Sequence, residues 1–374
     1  MNNKKHIALV YLGNFFFDAR LINMTLSLLQ ENYRVSILHT HPHDWDLYNK
    51  LFKNVEFHDI HLINTGWRKY LEFHKKTKKI LQSKTYDTII SCDLYSLSAV
   101  TASRRQTKKI IYDCREIYFE LAAHTKKPIH RYWNYQFEKY HLKYVDHVMV
   151  TAESDLIVLK NRYKNKLHLK WHIIYNYPGH FQQEKPKQLL SKFIQKQNIK
   201  VIYQGVLQKG RGIKQLIDLA IYNNNISAII VGGGEHFQHY DNYNTKNNTN
   251  NNVCFLGSIP YIKLLSITAQ CDIGWAAIQA QGLSNQLALP NKIFEYIMAG
   301  IPIIASNLPN IKPIISNHKV GWIIQNSNIQ EINTAIQKLA DHKTHYKKNL
   351  VLASEKFNWK IQHQNFIRII DATK

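Results

Sequence analysis

The sequence predicts an α/β protein built from two doubly wound halves that face each other across a cleft. Three observations lead there. The 374 residues exceed one ordinary hydrophobic core. The apolar share, 45%, is that of a globular chain. Short apolar strands alternate with helical segments in two successive cycles, the pattern of parallel sheets joined by right-handed crossovers.

The first cycle opens with residues 6–12 (HIALVYL), a buried-strand run that ends at Gly13 and Asn14. Residues 21–29 carry helical spacing, and residues 33–39 alternate as a strand. Further strands are expected at residues 88–91 (TIIS), 109–112 (KIIY) and 147–151 (HVMVT), with a long amphipathic helix over residues 128–144. Residues 1–176 form the first domain in this reading. The turn Asn176-Tyr177-Pro178-Gly179 then opens a Gln- and Lys-rich connection, residues 177–198.

The second cycle fills residues 199–355. Strands are expected at residues 200–203, 228–231, 253–256, 273–276 and 302–305, and helices at 215–221, 261–269 and 291–299. The polar, low-complexity run at residues 241–252 (DNYNTKNNTNNN) reads as a surface loop. Residues 356–374, amphipathic from Asn358 to Ile370, are expected to form a C-terminal helix that returns to the first domain.

Composition excludes several classes. The four cysteines, Cys92, Cys114, Cys254 and Cys271, are far apart and form no Cys-x-x-Cys pair, which argues against a zinc site or a disulfide framework. The basic N-terminus lacks the apolar region of a secretory signal, and no stretch of about 18 apolar residues could span a membrane. A cytoplasmic location is expected. Lys and Arg number 49 against 26 Asp and Glu, a formal net charge of +23. Compositional drift in a chain rich in Lys, Asn and Ile is the plain reading. Attraction to an anionic membrane surface, on its inner face, comes next. Nucleic acid comes last, since no recognition module is visible.

Two stretches carry chemistry. In Leu289-Pro290-Asn291-Lys292-Ile293-Phe294-Glu295-Tyr296, a Pro-Asn segment opens a helix whose free N–H groups can face an anion. Lys292 conflicts with the helix dipole there, and a bound diphosphate would remove the conflict. Glu295 falls one turn later, where a carboxylate can accept two bonds from a vicinal diol such as a ribose. A capped helix with a surface Lys–Glu pair would read the same way. In Tyr203-Gln204-Gly205-Val206-Leu207-Gln208-Lys209-Gly210-Arg211-Gly212, a strand ends in a loop with three glycines and two cations. Glycine permits close backbone approach, and arginine offers a planar fork to phosphate oxygens. The Gly-Lys-Ser/Thr ending of a Walker loop is absent.

The order of these signals resembles the family 4 retaining glycosyltransferases of GT-B fold, over nearly the whole chain. The resemblance implies two Rossmann-like domains, an acceptor-side one and a nucleotide-sugar-binding one. Gly205, Arg211 and Gly212 resemble the first glycine turn of the family's C-terminal domain, with Val206 where an Arg is expected. Gly232-Gly233-Gly234 resembles the next glycine turn, and Phe255-Leu256-Gly257 the strand beside the nucleobase, with Ile259 following it. Glu295 precedes Gly300 and Pro302 as the second Glu of the family's paired-Glu motif does, which implies a ribose contact. Leu287 stands where the first Glu, the donor-sugar contact, is expected. A subset of related bacterial enzymes carries Pro-Asn-Lys before a similar Phe-Glu/Asp-Tyr, so Pro290, Asn291 and Lys292 are expected at the donor.

In the first half, Tyr112-Asp113-Cys114-Arg115-Glu116 resembles the family's Tyr-Asp-x-His-Glu segment, and Asp93 ends a strand near the acceptor position. Asp93, Asp113 and Glu116 are therefore expected on the acceptor side. Arg115 replaces the His; it stays charged at neutral pH and cannot act as a general base. It can bind a phosphate, or it can be a structural ion pair with Glu116. Gly13, with Asp18 and Arg20, resembles the loop and helix that close over the diphosphate. The resemblance implies transfer of a sugar from a UDP- or GDP-sugar to the hydroxyl of a polysaccharide, lipid-linked or other acceptor, with Arg211, Lys292, Glu295 and Arg115 as the catalytic set. No cofactor and no catalytic metal are expected. His39, His41 and His43 alternate after a strand, but Pro42 breaks it, which favours a solvated loop over a metal site. A nucleotide-sugar 2-epimerase and a non-catalytic GT-B binding protein are the alternatives.

Overall fold

The computed structural model describes residues 4–40, 51–179, 198–247, 251–325 and 328–372. The chain divides into two compact units. One holds the residues up to Asn176 and again those from Lys360; the other is Tyr177–Trp359.

The first unit is built on seven parallel strands: β1 (His6–Val10), β2 (Arg34–His39), β3 (Val55–Asp59), β4 (Tyr86–Ser91), β5 (Thr107–Cys114), β6 (His147–Val150) and β7 (Lys170–Ile173). Their order is β3-β2-β1-β4-β5-β6-β7. Ile7, Ala8, Leu9 and Val10 are wholly buried, as a central parallel strand covered on both faces requires. Its helices are α1 (Ala19–Gln30), α2 (Arg68–Gln82), α3 (Leu97–Ala102), α4 (Pro128–His141) and α5 (Glu153–Arg162).

The second unit repeats the plan with β8 (Ile199–Gln204), β9 (Ile226–Val231), β10 (Val253–Gly257), β11 (Ile273–Ala276), β12 (Ile303–Ser306) and β13 (Gly321–Ile324), in the order β10-β9-β8-β11-β12-β13. Its helices are α6 (Ile213–Tyr222), α7 (Phe237–Asn247), α8 (Tyr261–Thr268), α9 (Gly282–Gln286), α10 (Asn291–Ala299), α11 (Lys312–His318), α12 (Ile329–Asp341) and α13 (Lys343–Lys356). Its core gathers Leu216, Ile217, Ile230, Trp275 and Ile336 around β8 and β11.

The last helix, α14 (Trp359–Asp371), lies in the first unit from Lys360 onward. Lys109 Nζ donates to the carbonyls of Ile369, Ile370 and Ala372 at 2.8, 2.6 and 2.8 Å, so a cation satisfies carbonyls that the helix end leaves without partners. Residues 180–197, most of the expected connection, lie outside the described residues. Tyr177 belongs with the second unit, its ring 4.7 Å from Phe294 and 5.5 Å from Phe357.

One expectation is corrected. Residues 241–247 are not loop but the greater part of α7. Polar composition hid the helix, because its stability comes from side chains one turn apart and from a few rings. Gln238 donates to Asn242, Thr245 to the Asp241 carbonyl, and Phe237 packs edge-on against Phe255.

Candidate active site

In the second unit, the turns that follow β8, β9, β10 and β11 are laced together by backbone bonds. Gly205 N–H donates to the Val231 carbonyl, Leu207 to Gly233, Gly232 to Gly257 and Gln279 to Gly210. Glycine is required where the turns touch. Gly212 starts α6 at φ +70°, and a Cβ there would sit 2.4 Å from the Ala277 carbonyl oxygen. Gly205, at φ +127°, leaves its open side to Lys292, whose Nζ would be 3.6 Å from an added Cβ.

Lys292 lies in the first turn of α10, a helix whose Pro290 cap provides no side-chain bond. The residue is only 7% exposed, yet no carboxylate lies within ion-pair distance among the described residues. Its ammonium stands over the Tyr203 ring, 3.6 Å from the centroid. Burial first, and the charge of Arg211 second, push the Lys292 pKa well below the ordinary lysine value, and Glu295 opposes them. Arg211 is half-buried and makes no ion pair among the described residues. Two cations thus share a place where Glu295, the carboxylate acting on Lys292, stays beyond ion-pair distance.

Glu295 is buried one turn along α10 and accepts a hydrogen bond from Gln204 Nε2. Gln204 Oε1 in turn accepts from Thr268 Oγ1 at 2.7 Å. Burial raises the Glu295 pKa to about 7 against the Gln204 bond and the Lys292 charge. Tyr296 seats the helix. Its hydroxyl donates to the Ile202 carbonyl at 2.9 Å and lies 3.2 Å from that of Trp275, while its ring occupies the space a Cβ on Gly274 would need. Thr268 lies in neither stretch singled out in the sequence, and Tyr203, Gln204 and Tyr296 lie in them without an assigned role; the one signal for these residues is a polar Gln204 at the end of an apolar strand.

The structure brings Gly205, Arg211, Gly212, Pro290, Asn291, Lys292 and Glu295 to the strand ends around β8 and β11. Gly234 lies in the turn after β9, where a Cβ would meet Val206 Cγ1 at 2.9 Å. Ile259 is half-buried in the loop after the edge strand β10.

The strand ends of the first unit are arranged differently. Arg20 is 1% exposed and grips Asp113, wholly buried, through Nε and Nη2 at 2.7–2.9 Å, while Nη1 donates to the Ile174 carbonyl. Arg115 bridges Asp113 and Asp18 and lies 5.1 Å over the Tyr11 ring. Of the two roles open to Arg115, a phosphate contact or a structural ion pair, the structure shows an ion pair, made with these two aspartates; Glu116 is exposed. Asp113, expected to face an acceptor, is instead enclosed by two guanidinium groups, which hold its pKa low against burial. Asp93 is buried and accepts from the N–H groups of Leu12 and Ser96 at 2.9 and 2.6 Å, with burial raising its pKa. Gly13 presses against the Tyr11 ring, and its carbonyl accepts from Thr40. His39 is buried and pairs with Asp59 at 2.9 Å; His41 and His43 lie outside the described residues. Among the described residues, no three His, Cys, Asp or Glu side chains converge as a metal site would require.

Residues 184–356 match the sequence profile of the glycosyl transferases group 1 family. The chain carries a group 1 glycosyl transferase domain. The fold of this glycosyltransferase is GT-B, by likeness to solved structures. Sucrose-phosphate synthase from Thermosynechococcus elongatus matches with TM-score 0.76 at 14% identity, over 98% of each chain. HepE from Anabaena, in complex with UDP and glucose, matches with TM-score 0.73 at 15% identity, over 98% of this chain and 99% of that one. WaaG, a glycosyltransferase involved in lipopolysaccharide biosynthesis, matches with TM-score 0.71 at 13% identity, over 98% and 100%. No curated protein matches the sequence significantly. Within the glycosyltransferase domain, Val206 is exposed beside Gly205, and Leu287, half-buried after α9, has its carbonyl fixed by Asn310 Nδ2 at 2.7 Å.

Proposed function

We propose that the second unit binds a nucleoside-diphosphate sugar, with UDP or GDP as the nucleotide, and that the chain transfers the sugar to an acceptor hydroxyl with retention. The observation that carries this reading is the buried Lys292 ammonium, held near Arg211 and the Gly205 turn with no carboxylate at ion-pair distance among the described residues. Burying an unpaired cation is unfavourable, and a diphosphate at that place supplies the missing charge. The leaving diphosphate gains negative charge as the glycosidic bond breaks. Lys292, Arg211 and the N-terminal turn of α10 would then stabilise the transition state more than the ground state. These side-chain cations meet the charge without a catalytic metal. Glu295, held by Gln204, is assigned to the ribose hydroxyls. Leu287 supplies no carboxylate to the sugar, so selectivity among sugars rests on other groups.

Retention follows from the family likeness and from attack on the face of departure, assisted by the leaving phosphate. The acceptor is assigned to cell-envelope polysaccharide or glycolipid synthesis in the cytoplasm. Asp93 and Glu116 are its nearest candidates in the first unit, whereas Asp113 and Arg115 are committed to each other and to Asp18. The test is thermal unfolding with a panel of UDP- and GDP-sugars, since a ligand bound to the native state raises the midpoint. At least one nucleotide should stabilise the wild-type protein and fail to stabilise Lys292→Ala. Equal stabilisation of both would sink the assignment. Conversion of the donor sugar to its 2-epimer with no acceptor present would replace transfer with epimerisation.

A further inference from the structure

Helix α4 is turned inside out relative to an ordinary surface helix. Its one carboxylate, Glu138, points inward and is wholly buried, accepting from the hydroxyls of Tyr112 and Tyr163 at 2.7 and 2.6 Å. Its outward side carries Ile129, Trp133, Phe137 and Tyr140, continued by Tyr144, with Ile129 and Trp133 67% and 65% exposed. The spacing of these residues sets them on one stripe about 20 Å long. Around them stand Lys126, Lys127, His130, Lys139 and Lys143, and between Ala123 and Tyr144 no other carboxylate occurs.

The surface continues onto α2, since α3 packs against both helices and His74 and Thr101 on these helices meet side chains across them. Trp67 and Leu71 are exposed there, beside Arg68, Lys69, Lys75, Lys78 and Lys79. Glu72, the single carboxylate of α2, is bonded by Lys76 and Asn64. Shallow hollows along this helix are lined by Lys75, Lys78, Lys79 and Ser83.

We infer that this face of the first unit docks on a bilayer containing anionic phospholipid. Indole and phenol rings with an apolar body and a polar edge favour the lipid–water boundary, and lysines around them extend their stems while placing charge at phosphate level. A net positive face, whose one carboxylate on α2 is already bonded by Lys76 and Asn64, complements an anionic leaflet, each lysine contributing about fivefold in affinity. Among the described residues no helix is long and apolar enough to span a membrane, so attachment at the surface is the form this interaction takes. A nucleic-acid groove would use the same lysines but gives no account of an apolar stripe of Ile129, Trp133 and Phe137.

The full chain should float with vesicles of phosphatidylcholine and phosphatidylglycerol and not with phosphatidylcholine alone. Lys126→Glu with Lys127→Glu should lower partitioning by at least tenfold. Trp133→Ala with Phe137→Ala should lower it comparably at high salt, where charge is screened, while Trp133→Tyr retains most of it. All these positions are exposed, so thermal midpoints should match wild type. Flotation that is equal for wild type and both double variants overturns the proposal. So does DNA binding that loses strength with the lysine variant alone and is matched by no vesicle binding. Because the assay contains no nucleotide, its outcome is independent of the donor assignment.

Discussion

The strand ends of the two units present the same topology with opposite charge balance. In the first, Arg20 and Arg115 are matched by Asp113 and Asp18 at hydrogen-bond distance, and the group closes on itself. In the second, Lys292 feels the like charge of Arg211, and the nearby Glu295 is bonded to Gln204 and within ion-pair distance of neither cation. A doubly wound sheet places functional groups at its carboxyl ends in both cases. What separates a closed end from a binding end is whether the charges already have partners. Buried ion pairs tie segments together, whereas buried unpaired cations raise the energy of the empty site and lower it on binding an anion.

Four measurements break or sharpen this contrast. Lys292→Met should lower turnover of the nucleotide sugar by about 10²–10³-fold, the usual loss when one preorganised charge is removed. It should also leave the ligand-free protein as stable as wild type or more so in urea unfolding. Clear destabilisation by this variant would show that the lysine is paired after all. Arg20→Ala should do the reverse and destabilise the chain by about 3–5 kcal/mol, because Asp113 would remain buried with one partner fewer. A loss below about 1 kcal/mol by denaturant midpoint would mean that the cluster does not hold the first unit together.

The third measurement concerns pH. Glu295 titrates near 7 in the folded chain, above its ordinary value, so its contribution to stability is complete below the unfolded carboxyl pKa and is lost as pH rises to neutrality. The loss should amount to about 3 kcal/mol between pH 4.5 and 7, and Glu295→Gln should remove that part of the slope. Parallel curves for the two proteins in urea unfolding across this range would refute the assignment. The smallest effect is expected from Thr268→Val, about 1 kcal/mol for one neutral hydrogen bond, with a modest rise in KM for the donor through Gln204. An unchanged KM would separate the Thr268–Gln204 chain from the site.

Much of the architecture is legible in the sequence because parallel strands buried on both faces are continuous apolar runs. The bounds of α10 follow from Pro290 and Gly300, whereas a place for Lys292 near the Gly205 turn comes only from the family resemblance. Long-range polar partners are not legible. Arg115 meets Asp18 across 97 positions, and nothing local distinguishes that pair from Arg115 with Glu116. Thr268 and Gln204 meet across 64 positions for the same reason. Helix α4 reads as amphipathic, but periodicity alone does not say that the side with Glu138 faces the sheet and the side with Trp133 faces out. That choice is made by Tyr112 and Tyr163, which supply the hydroxyls the carboxylate needs.

Tyr296 has a consequence for the timing of order. By bonding the Ile202 carbonyl and filling the space beside Gly274, it fixes α10 on the sheet before any ligand arrives. The Lys292 stem, laid over Tyr203, has already lost the rotamer freedom that a surface lysine keeps, worth about 2 kcal/mol. That entropy is surrendered during folding, so an arriving diphosphate meets a charge that no longer has to be stilled.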